Sequence, residues 1–180
     1  MTPKLFLLLG LALLTLASCK KDDPDTIPDN ILEAIPDERF RSFCIDFDLD
    51  WDGKVSAAEA QAVSFITLFV PDIMGVMKPY KVGSVEGIQY FTEIEWLSCG
   101  RNSLKELDIS RNLKLTHVLC RENNLKELDI SNNISLQVLE CSNNPDLKTI
   151  WVWQGFNLDN PEQSIPGIYK DTHTVFRIRE

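Results

Sequence analysis

Four acidic residues lie close together in the segment DLDWDGKVSAAE, at 48–59. Asp48, Asp50 and Asp52 alternate, Gly53 follows directly, and Glu59 ends the segment. The segment contains no histidine or cysteine, and a ligand set made of oxygens alone selects a hard cation such as calcium. The sequence therefore predicts a calcium site here. The alternative is an aspartate-rich turn that holds no metal.

The same segment resembles the calcium-binding loop of the EF-hand family, D-x-[DN]-x-[DN]-G-x5-E, at every defined position. The resemblance implies side-chain ligands at loop positions 1, 3, 5 and 9, a backbone carbonyl at 7 and a bidentate glutamate at 12. The implied ligands are Asp48, Asp50, Asp52, Ser56, Lys54 through its carbonyl, and Glu59. Val55 at position 8 corresponds to a core residue in the family. The sequence has one such loop, and EF-hands usually regulate in pairs, so we expect the calcium to be structural.

The first residues indicate export. Lys4 precedes LFLLLGLALLTLA, an apolar run of signal-peptide length that is shorter than a membrane span. The run ends in LASC, which resembles the lipobox of bacterial lipoproteins and implies that Cys19 is lipidated. The alternative is an ordinary secretory signal with a chance cysteine. KKDD, at 20–23, resembles a surface-export signal. We therefore expect an outer-membrane lipoprotein that is anchored by lipid and exposed at the cell surface.

Charge and residue types exclude several classes of function. The net charge is −9, and an acidic chain repels the phosphates of nucleic acids. The two histidines, His117 and His173, belong to no motif that places a nucleophile beside a base, and there is no glycine-rich phosphate loop. We therefore expect neither an enzyme nor a nucleic-acid partner, and we expect contact with a membrane only through the lipid anchor.

Two sequence patterns alternate in the second half of the chain, and each recurs every 21 residues. The first pattern comprises IEWLSCGRNS, LTHVLCRENN and LQVLECSNNP, which begin at Ile94, Leu115 and Leu136. The second comprises LKELDISRNLK, LKELDISNNIS and, after one extra residue, LKTIWVWQGFN, which begin at Leu104, Leu125 and Leu147. One such unit cannot bury its own leucines, whereas stacked units can.

These patterns resemble the core LxxLxLxxNxL of the leucine-rich-repeat family over residues 85–153. The resemblance implies stacked coils whose parallel strands lie about 4.8 Å apart. The predicted fold class is α+β, a leucine-rich-repeat solenoid with parallel β-strands, an N-terminal helical EF-hand-like cap and an irregular C-terminal cap. This plan resembles the internalin type of protein. Asparagines at the turns are expected to hydrogen-bond buried backbone, namely Asn102, Asn112, Asn123, Asn133 and Asn144.

The expected organisation has five parts. They are a signal peptide at 1–18, a lipidated tether rich in aspartate and proline at 19–36, a helix-loop-helix cap at 37–75, the repeats at 76–153 and the C-terminal cap at 154–180. Helix formers predict the second helix of the cap over 57–69. The first helix is expected to bury Phe40, Phe43, Cys44 and Phe47 on one face. The segment TVFRIRE, at 174–180, is expected to form a last strand.

Cys99, Cys120 and Cys141 occupy the same place in successive repeats. They form a line along a packed face, whereas the ligands of a zinc site converge on one point. We therefore interpret them as small hydrophobic core residues. The spacing allows a disulfide between neighbours, but parallel side-chain directions fit the disulfide dihedral poorly.

The leucine and the cysteine of LxxLxC are two residues apart, so both point inward and their neighbours point outward. We predict a partner-binding face at Trp96, His117, Leu119 and Val138. Outward residues of the other half-repeat are mostly charged and indicate plain solvent surface, namely Glu106, Asp108, Glu127, Asp129, Thr149 and Trp151. The alternative for Trp96 and Trp151 is burial under the two caps.

The predicted function is recognition of an unidentified protein ligand, or adhesion, by a cell-surface lipoprotein with a calcium-stabilised cap. The alternative is a glycan-binding or nutrient-capture surface lipoprotein, in which an exposed tryptophan stacks on sugar rings. A third interpretation is a structural component of the cell envelope.

Overall fold

The computed structural model describes residues 26–71 and 77–180. The predicted signal peptide, Cys19 and the first part of the predicted tether lie outside these residues. No helix in the described ranges is long and apolar enough to cross a membrane.

Two short α-helices begin the fold, α1 at Glu38–Cys44 and α2 at Ala57–Ala62. The Asp37 carboxylate accepts hydrogen bonds from the first turn of α1, at the N–H groups of Arg39 and Phe40. Ser56 and Glu59 form a reciprocal capping box at the start of α2. The described residues also form four 3-10 turns, at Ile31–Ala34, Ile45–Phe47, Ile88–Tyr90 and Pro161–Gln163. As expected, Phe40 and Cys44 are buried, and Phe43 and Phe47 pack partly against the core.

The helix predicted over 57–69 is wrong beyond Ala62, where α2 ends. Val63 has extended backbone angles, and Phe65–Thr67 form strand β1. Valine, phenylalanine, isoleucine and threonine fit a pleated surface better than a helix. The strand also gains a parallel pairing with a segment about thirty residues later in the chain.

Ten strands lie in the described residues. They are β1 Phe65–Thr67, β2 Phe69–Pro71, β3 Met77–Pro79, β4 Trp96–Ser98, β5 His117–Leu119, β6 Glu127–Asp129, β7 Val138–Glu140, β8 Thr149–Val152, β9 Gly167–Tyr169 and β10 Val175–Ile178. One parallel sheet has the order β1-β4-β5-β7-β9, and a second has the order β10-β8-β6. Strands β2 and β3 form an antiparallel pair. The two parallel sheets alternate along the chain, so successive turns stack into the solenoid that the repeats predict.

Each repeat contributes one residue to an inward column that runs across the coils of the core. Ile66, Leu97, Val118 and Leu139 are fully buried in register across the five-stranded sheet. Two residues further along each coil lie Cys99, Cys120 and Cys141, which are buried and have free thiols. Burial raises the pKa of the Cys99 and Cys141 thiols to about 12. These thiols are therefore uncharged at neutral pH and serve as core packing, as the sequence predicts.

Buried asparagines close the turns of the solenoid. The Asn123 side-chain amide donates to the carbonyls of Cys99 and Cys120, each at 3.0 Å, and accepts from the Leu104 N–H at 3.0 Å. Asn144 repeats this pattern one coil later. In the other half-repeat, Asn133 donates to the carbonyls of Ile109 and Asn112. Each amide links neighbouring coils through backbone groups that water does not reach.

The segment expected to form an irregular C-terminal cap instead adds one more coil. Strand β9 pairs with β7 and extends the five-stranded sheet, and β10 pairs with β8 and extends the second sheet. The last strand predicted in TVFRIRE is present as Val175–Ile178.

Candidate functional site

The acidic loop connects α1 and α2 and is folded by its own hydrogen bonds. The Gly53 N–H donates to Asp48 Oδ2 at 2.8 Å, and the Lys54 N–H donates to Asp52 Oδ1 at 2.8 Å. Gly53 has a φ of 84° and Trp51 a φ of 63°, both in the left-handed region. These turns bring one carboxylate oxygen each from Asp48, Asp50 and Asp52 to within 4.8 Å of one another. The structure therefore gathers three of the predicted ligands around one point.

Asp48 carries the strongest sign of a missing positive partner. The residue is 9% exposed, and its Oδ1 atom is buried without a hydrogen-bond partner among the described residues. Burying a charged carboxylate oxygen without a partner destabilises the fold by several kcal/mol, more than an unpaired neutral group does. A hard cation bound among the three aspartates would supply that partner, so the residues present fit calcium.

Glu59 is held differently from the three aspartates. Its Oε1 accepts from the Leu49 N–H at 2.7 Å, and its Oε2 accepts from the Ser56 N–H and hydroxyl, each at 2.8 Å. These hydrogen bonds, first that of the Ser56 backbone, lower the pKa of Glu59 to about 2. The side chain is therefore a charged carboxylate that closes the loop and caps α2, but it is not part of the three-carboxylate cluster.

The loop is joined to the core of the cap through Val55. Its side chain is fully buried, as expected for the eighth loop position. Its N–H donates to Asn30 Oδ1 at 3.2 Å, and its carbonyl accepts from the Ile31 N–H at 2.8 Å. The loop is therefore hydrogen-bonded directly to the segment that precedes α1.

The outer face of the five-stranded sheet carries a contiguous aromatic and aliphatic strip. Trp96 stacks on His117, with ring centroids 4.3 Å apart and an angle of 15° between planes. His117 Nδ1 lies 2.9 Å from the Thr116 hydroxyl. We use the name sheet strip for the outward residues of two adjacent columns: Phe65, Trp96, His117 and Val138 in one, and Leu119 and Tyr169 in the other.

Two members of the sheet strip were missed by reasoning from the sequence. Phe65 is 65% exposed beside Trp96, and Tyr169 is 61% exposed beside Glu140. Phe65 lay in the predicted helix and Tyr169 in the predicted irregular cap. The signal available for Phe65 was the β-branched and aromatic composition of the segment Val63–Thr67. The four predicted residues, Trp96, His117, Leu119 and Val138, lie together as expected.

The second sheet presents a charged surface, as predicted. Its outward side chains are partly paired with one another: the Trp151 indole N–H donates to Glu127 Oε2 at 3.2 Å, and Arg179 lies 3.3 Å from Asp129. The Arg179 guanidinium also lies 5.2 Å from the centre of the Trp151 ring. Trp96 is 39% exposed and Trp151 is half-buried, so neither is covered by a cap.

Comparison with known proteins gives matches at the level of structure only. No protein-family model and no curated protein matches the chain. An internalin (InlF) from Listeria monocytogenes is similar, with a TM-score of 0.54 and 17% identity over 87% of this chain and 55% of that one. The functional domain of InlJ from Listeria monocytogenes, which includes a cysteine ladder, is similar with a TM-score of 0.51 and 21% identity over 68% of this chain and 27% of that one.

These likenesses concern the fold, because both identities are low and this chain spans 55% and 27% of the two neighbours. In this chain, the aligned Cys99, Cys120 and Cys141 are buried and free. The repeats, the parallel sheets and these neighbours together show an internalin-like leucine-rich-repeat plan.

Proposed function

We propose that this chain is a cell-surface lipoprotein that recognises another protein through the sheet strip. The observation that carries this proposal is the run of exposed or half-buried aromatic and aliphatic side chains across the five strands of one sheet, including Phe65 at 65% and Trp96 at 39% exposure. Scattered exposed apolar residues are ordinary, but a contiguous patch marks an interaction site. The likeness to internalins supports protein recognition by analogy of fold.

The composition of the sheet strip suits a protein partner. Aromatic side chains supply most of the binding energy at interfaces, and Trp96, His117 and Tyr169 are fixed on strands rather than on loops. At about 4.8 Å per strand, five strands span roughly 20 Å, which is the width of a small interface. Two carboxylates of the second sheet are already engaged, Glu127 by the Trp151 indole and Asp129 by Arg179, so that sheet has less to offer a partner.

A glycan is the second candidate ligand, and one observation favours it. The stacked rings of Trp96 and His117 form a flat apolar platform, which suits the flat apolar face of a sugar ring. A glycan array and a pull-down from a surface-protein extract, each with the same chain, separate the two candidates. Binding to sugars that is lost in His117→Ala, without any captured protein, would favour the glycan.

We also propose that the acidic loop holds a structural calcium ion. Asp48, Asp50 and Asp52 would supply side-chain oxygens, with the Lys54 carbonyl and Ser56 as further ligands of the loop pattern. Glu59 would complete the pattern by exchanging its hydrogen bonds with Leu49 and Ser56 for the ion. When bound, the ion neutralises the carboxylate cluster and holds α1 and α2 in place. The unpartnered oxygen of Asp48 supports this proposal.

The protein-recognition proposal is tested at His117 and Leu119. The chain is immobilised, a surface-protein extract is passed over it, and the affinity of the captured protein is then measured. Aromatic and aliphatic anchors usually cost more than 1 kcal/mol each when removed, which is about fivefold or more in Kd. We expect His117→Glu and Leu119→Glu to weaken binding by at least that much without lowering the melting temperature, because both side chains point away from the core.

Glu127→Lys on the second sheet is the matched control, and it should leave the affinity unchanged. If Glu106→Lys and Glu127→Lys abolish binding while the two sheet-strip variants do not, the partner binds the second sheet and the proposal is wrong.

A further inference from the structure

The two ends of the solenoid differ in how they are closed. At the N-terminal end, Ile66 on β1 is fully buried, and the cap residues Phe40 and Ile35 are fully buried with it. At the other end, the core columns finish in Ile168, Phe176 and Ile178, which are only half-buried. Their counterparts one coil earlier, Leu139, Ile150 and Val152, are all 0% exposed. We name the surface formed by Ile168, Tyr169, Phe176 and Ile178 the open end.

The open end also carries two strand edges that no other described strand pairs with. The Gly167 N–H donates to the Gln137 carbonyl, and the Tyr169 carbonyl accepts from the Cys141 N–H, so both residues point their backbone toward β7. Because successive residues of a strand point their backbone groups to opposite sides, the N–H and C=O of Ile168 face outward. The same reasoning applies to Phe176 and Ile178, since Val175 and Arg179 bond toward β8. No hydrogen bond to these three outward backbone pairs is formed within 26–71 and 77–180.

We propose that the open end is a two-fold interface with a second copy of this chain. Unpaired edges are templates for strand pairing. A single two-fold axis can pass beside both strands. Rotation about it places β9 next to the β9 of the copy and β10 next to the β10 of the copy, and both pairs are antiparallel. One partner then pairs both edges and covers all the half-buried core residues, whereas an extended peptide could pair only one edge.

The register follows from the groups that face outward. In β9, only Ile168 directs both its N–H and its C=O away from β7, so Ile168 pairs with Ile168 of the copy. In β10, Phe176 pairs with Ile178 of the copy, which places Arg177 on the two-fold axis. Phe176 and Ile178 point inward, so this register joins the cores of the two solenoids.

Charges at the open end are complementary under the same rotation. Glu162 and Lys170 line one cavity of about 490 Å³, on opposite sides of Ile168 along the chain. In an antiparallel pair, residues before Ile168 in one copy lie near residues after Ile168 in the other copy. Glu162 therefore approaches Lys170 of the copy. The Lys170 ammonium donates to the Thr174 carbonyl at 2.6 Å and has no carboxylate partner among the described residues. The like charges of Arg177 on the axis point to solvent, where they are screened.

The test uses a disulfide at the two-fold axis. Arg177 bonds toward β8, so on the axis it forms a non-hydrogen-bonded antiparallel pair, whose Cα atoms lie about 4.5 Å apart and can accept a disulfide. We expect the full chain carrying Arg177→Cys to run mostly as a covalent dimer on a non-reducing gel. Lys105→Cys, at an exposed position outside β9 and β10, is the matched control and should give less than a tenth as much dimer.

Two further variants show whether the cross-link depends on the open end. In the Arg177→Cys background, Ile168→Lys should reduce the covalent dimer at least fivefold, and a cooperative melting curve of the variant shows that it remains folded. Ile134→Lys, at a side chain that is 65% exposed elsewhere, should not reduce it. If Ile168→Lys does not fold, Ile168→Pro serves instead, because the fold leaves the Ile168 N–H unused and proline is tolerated on an edge strand.

Two differently tagged copies of the wild-type chain, produced together, should also co-purify. The proposal is overturned if Arg177→Cys links no better than Lys105→Cys, or if Arg177→Cys links to a different protein. It is also overturned if Ile168→Lys folds and leaves the cross-link intact.

Discussion

At the scale of single residues, the carboxylates of the loop divide into two kinds. Asp48 is buried with an oxygen that has no partner in the described part of the chain, whereas Glu59 is fully engaged by Leu49 and Ser56. The Asp48 carboxylate is suited to bind a cation, whereas the Glu59 carboxylate stabilises the fold of the loop. Trp51 adds a cost, because a bulky residue at a φ of 63° is strained. A bound ion would offset both the buried charge and this strain.

Calcium is therefore expected to raise the stability of the native chain. At a hundredfold excess over Kd, binding to the native state alone contributes about 2.7 kcal/mol. For a chain of this length that corresponds to a rise of roughly 5–10 °C in melting temperature. We expect chelation to lower the melting temperature of a calcium-loaded sample by that amount, measured by circular dichroism at about 10 mM calcium, which is a hundredfold excess over a Kd of about 0.1 mM, at the tight end of the range for extracellular sites.

Asp48→Ala should abolish the response to chelation, and Glu59→Gln should do the same. Asp46→Ala, at an exposed carboxylate just before the loop, is the control and should respond like the wild type. A melting curve that is the same with and without chelator in the wild type would show that the loop holds no metal under these conditions.

At the scale of elements, asparagine side chains hydrogen-bond backbone N–H and C=O groups that have no backbone partner at the tight turns. Asn123 serves three backbone groups at once, the carbonyls of Cys99 and Cys120 and the N–H of Leu104. All three lie between coils and away from water. Local turn residues thus also hold successive repeats together.

Asn123→Ala should therefore lower the free energy of unfolding by about 2–4 kcal/mol, because each buried group left unpaired costs about 1–3 kcal/mol. The measurement is urea denaturation at equilibrium. Asn132→Ala is the matched control: its amide makes one exposed hydrogen bond, to the Ser110 carbonyl at 3.2 Å, and its loss should cost about 0.5 kcal/mol or less. Equal effects of the two changes would mean that the buried ladder does not join the coils.

At the scale of the whole molecule, the solenoid has one closed end, one open end and two faces of different character. The proposed lipid anchor at Cys19 precedes the closed end in the chain. Protein recognition at the sheet strip and self-association at the open end share Tyr169 and otherwise use different residues, so variants at His117 or Leu119 need not affect self-association. The two surfaces meet at Tyr169, which pairs with Glu140 of β7.

Lipidation is tested by removing the thiol. Cys19→Ala should move the chain from the membrane fraction to the soluble fraction, because several buried acyl chains, at about 0.8 kcal/mol per methylene, would no longer hold it. Fractionation in high salt followed by immunoblotting measures this. A mutant that stays bound to membranes in high salt would contradict the lipobox interpretation. Protease treatment of intact cells tests display, since cleavage of the repeats indicates an outward-facing chain and protection indicates a periplasmic one.

Reasoning from the sequence alone found what depends on short range. The 21-residue period placed Leu97, Val118 and Leu139 inward and Trp96, His117 and Val138 outward, because side chains of a strand alternate with a period of two. The spacing of Asp48, Asp50 and Asp52 likewise predicted a cluster, because six consecutive residues with a glycine can turn around one point.

Tertiary structure decided what depends on distant partners. Phe65 became part of the sheet strip because β1 pairs with β4, a contact that outweighs the helix formers just before it. Tyr169 joined the strip, and Ile168 and Phe176 became the open end, because β9 and β10 pair with strands of the preceding coil although their segment breaks the repeat. Local propensity cannot supply these pairings, since their free energy comes from burial between segments that the chain brings together only on folding.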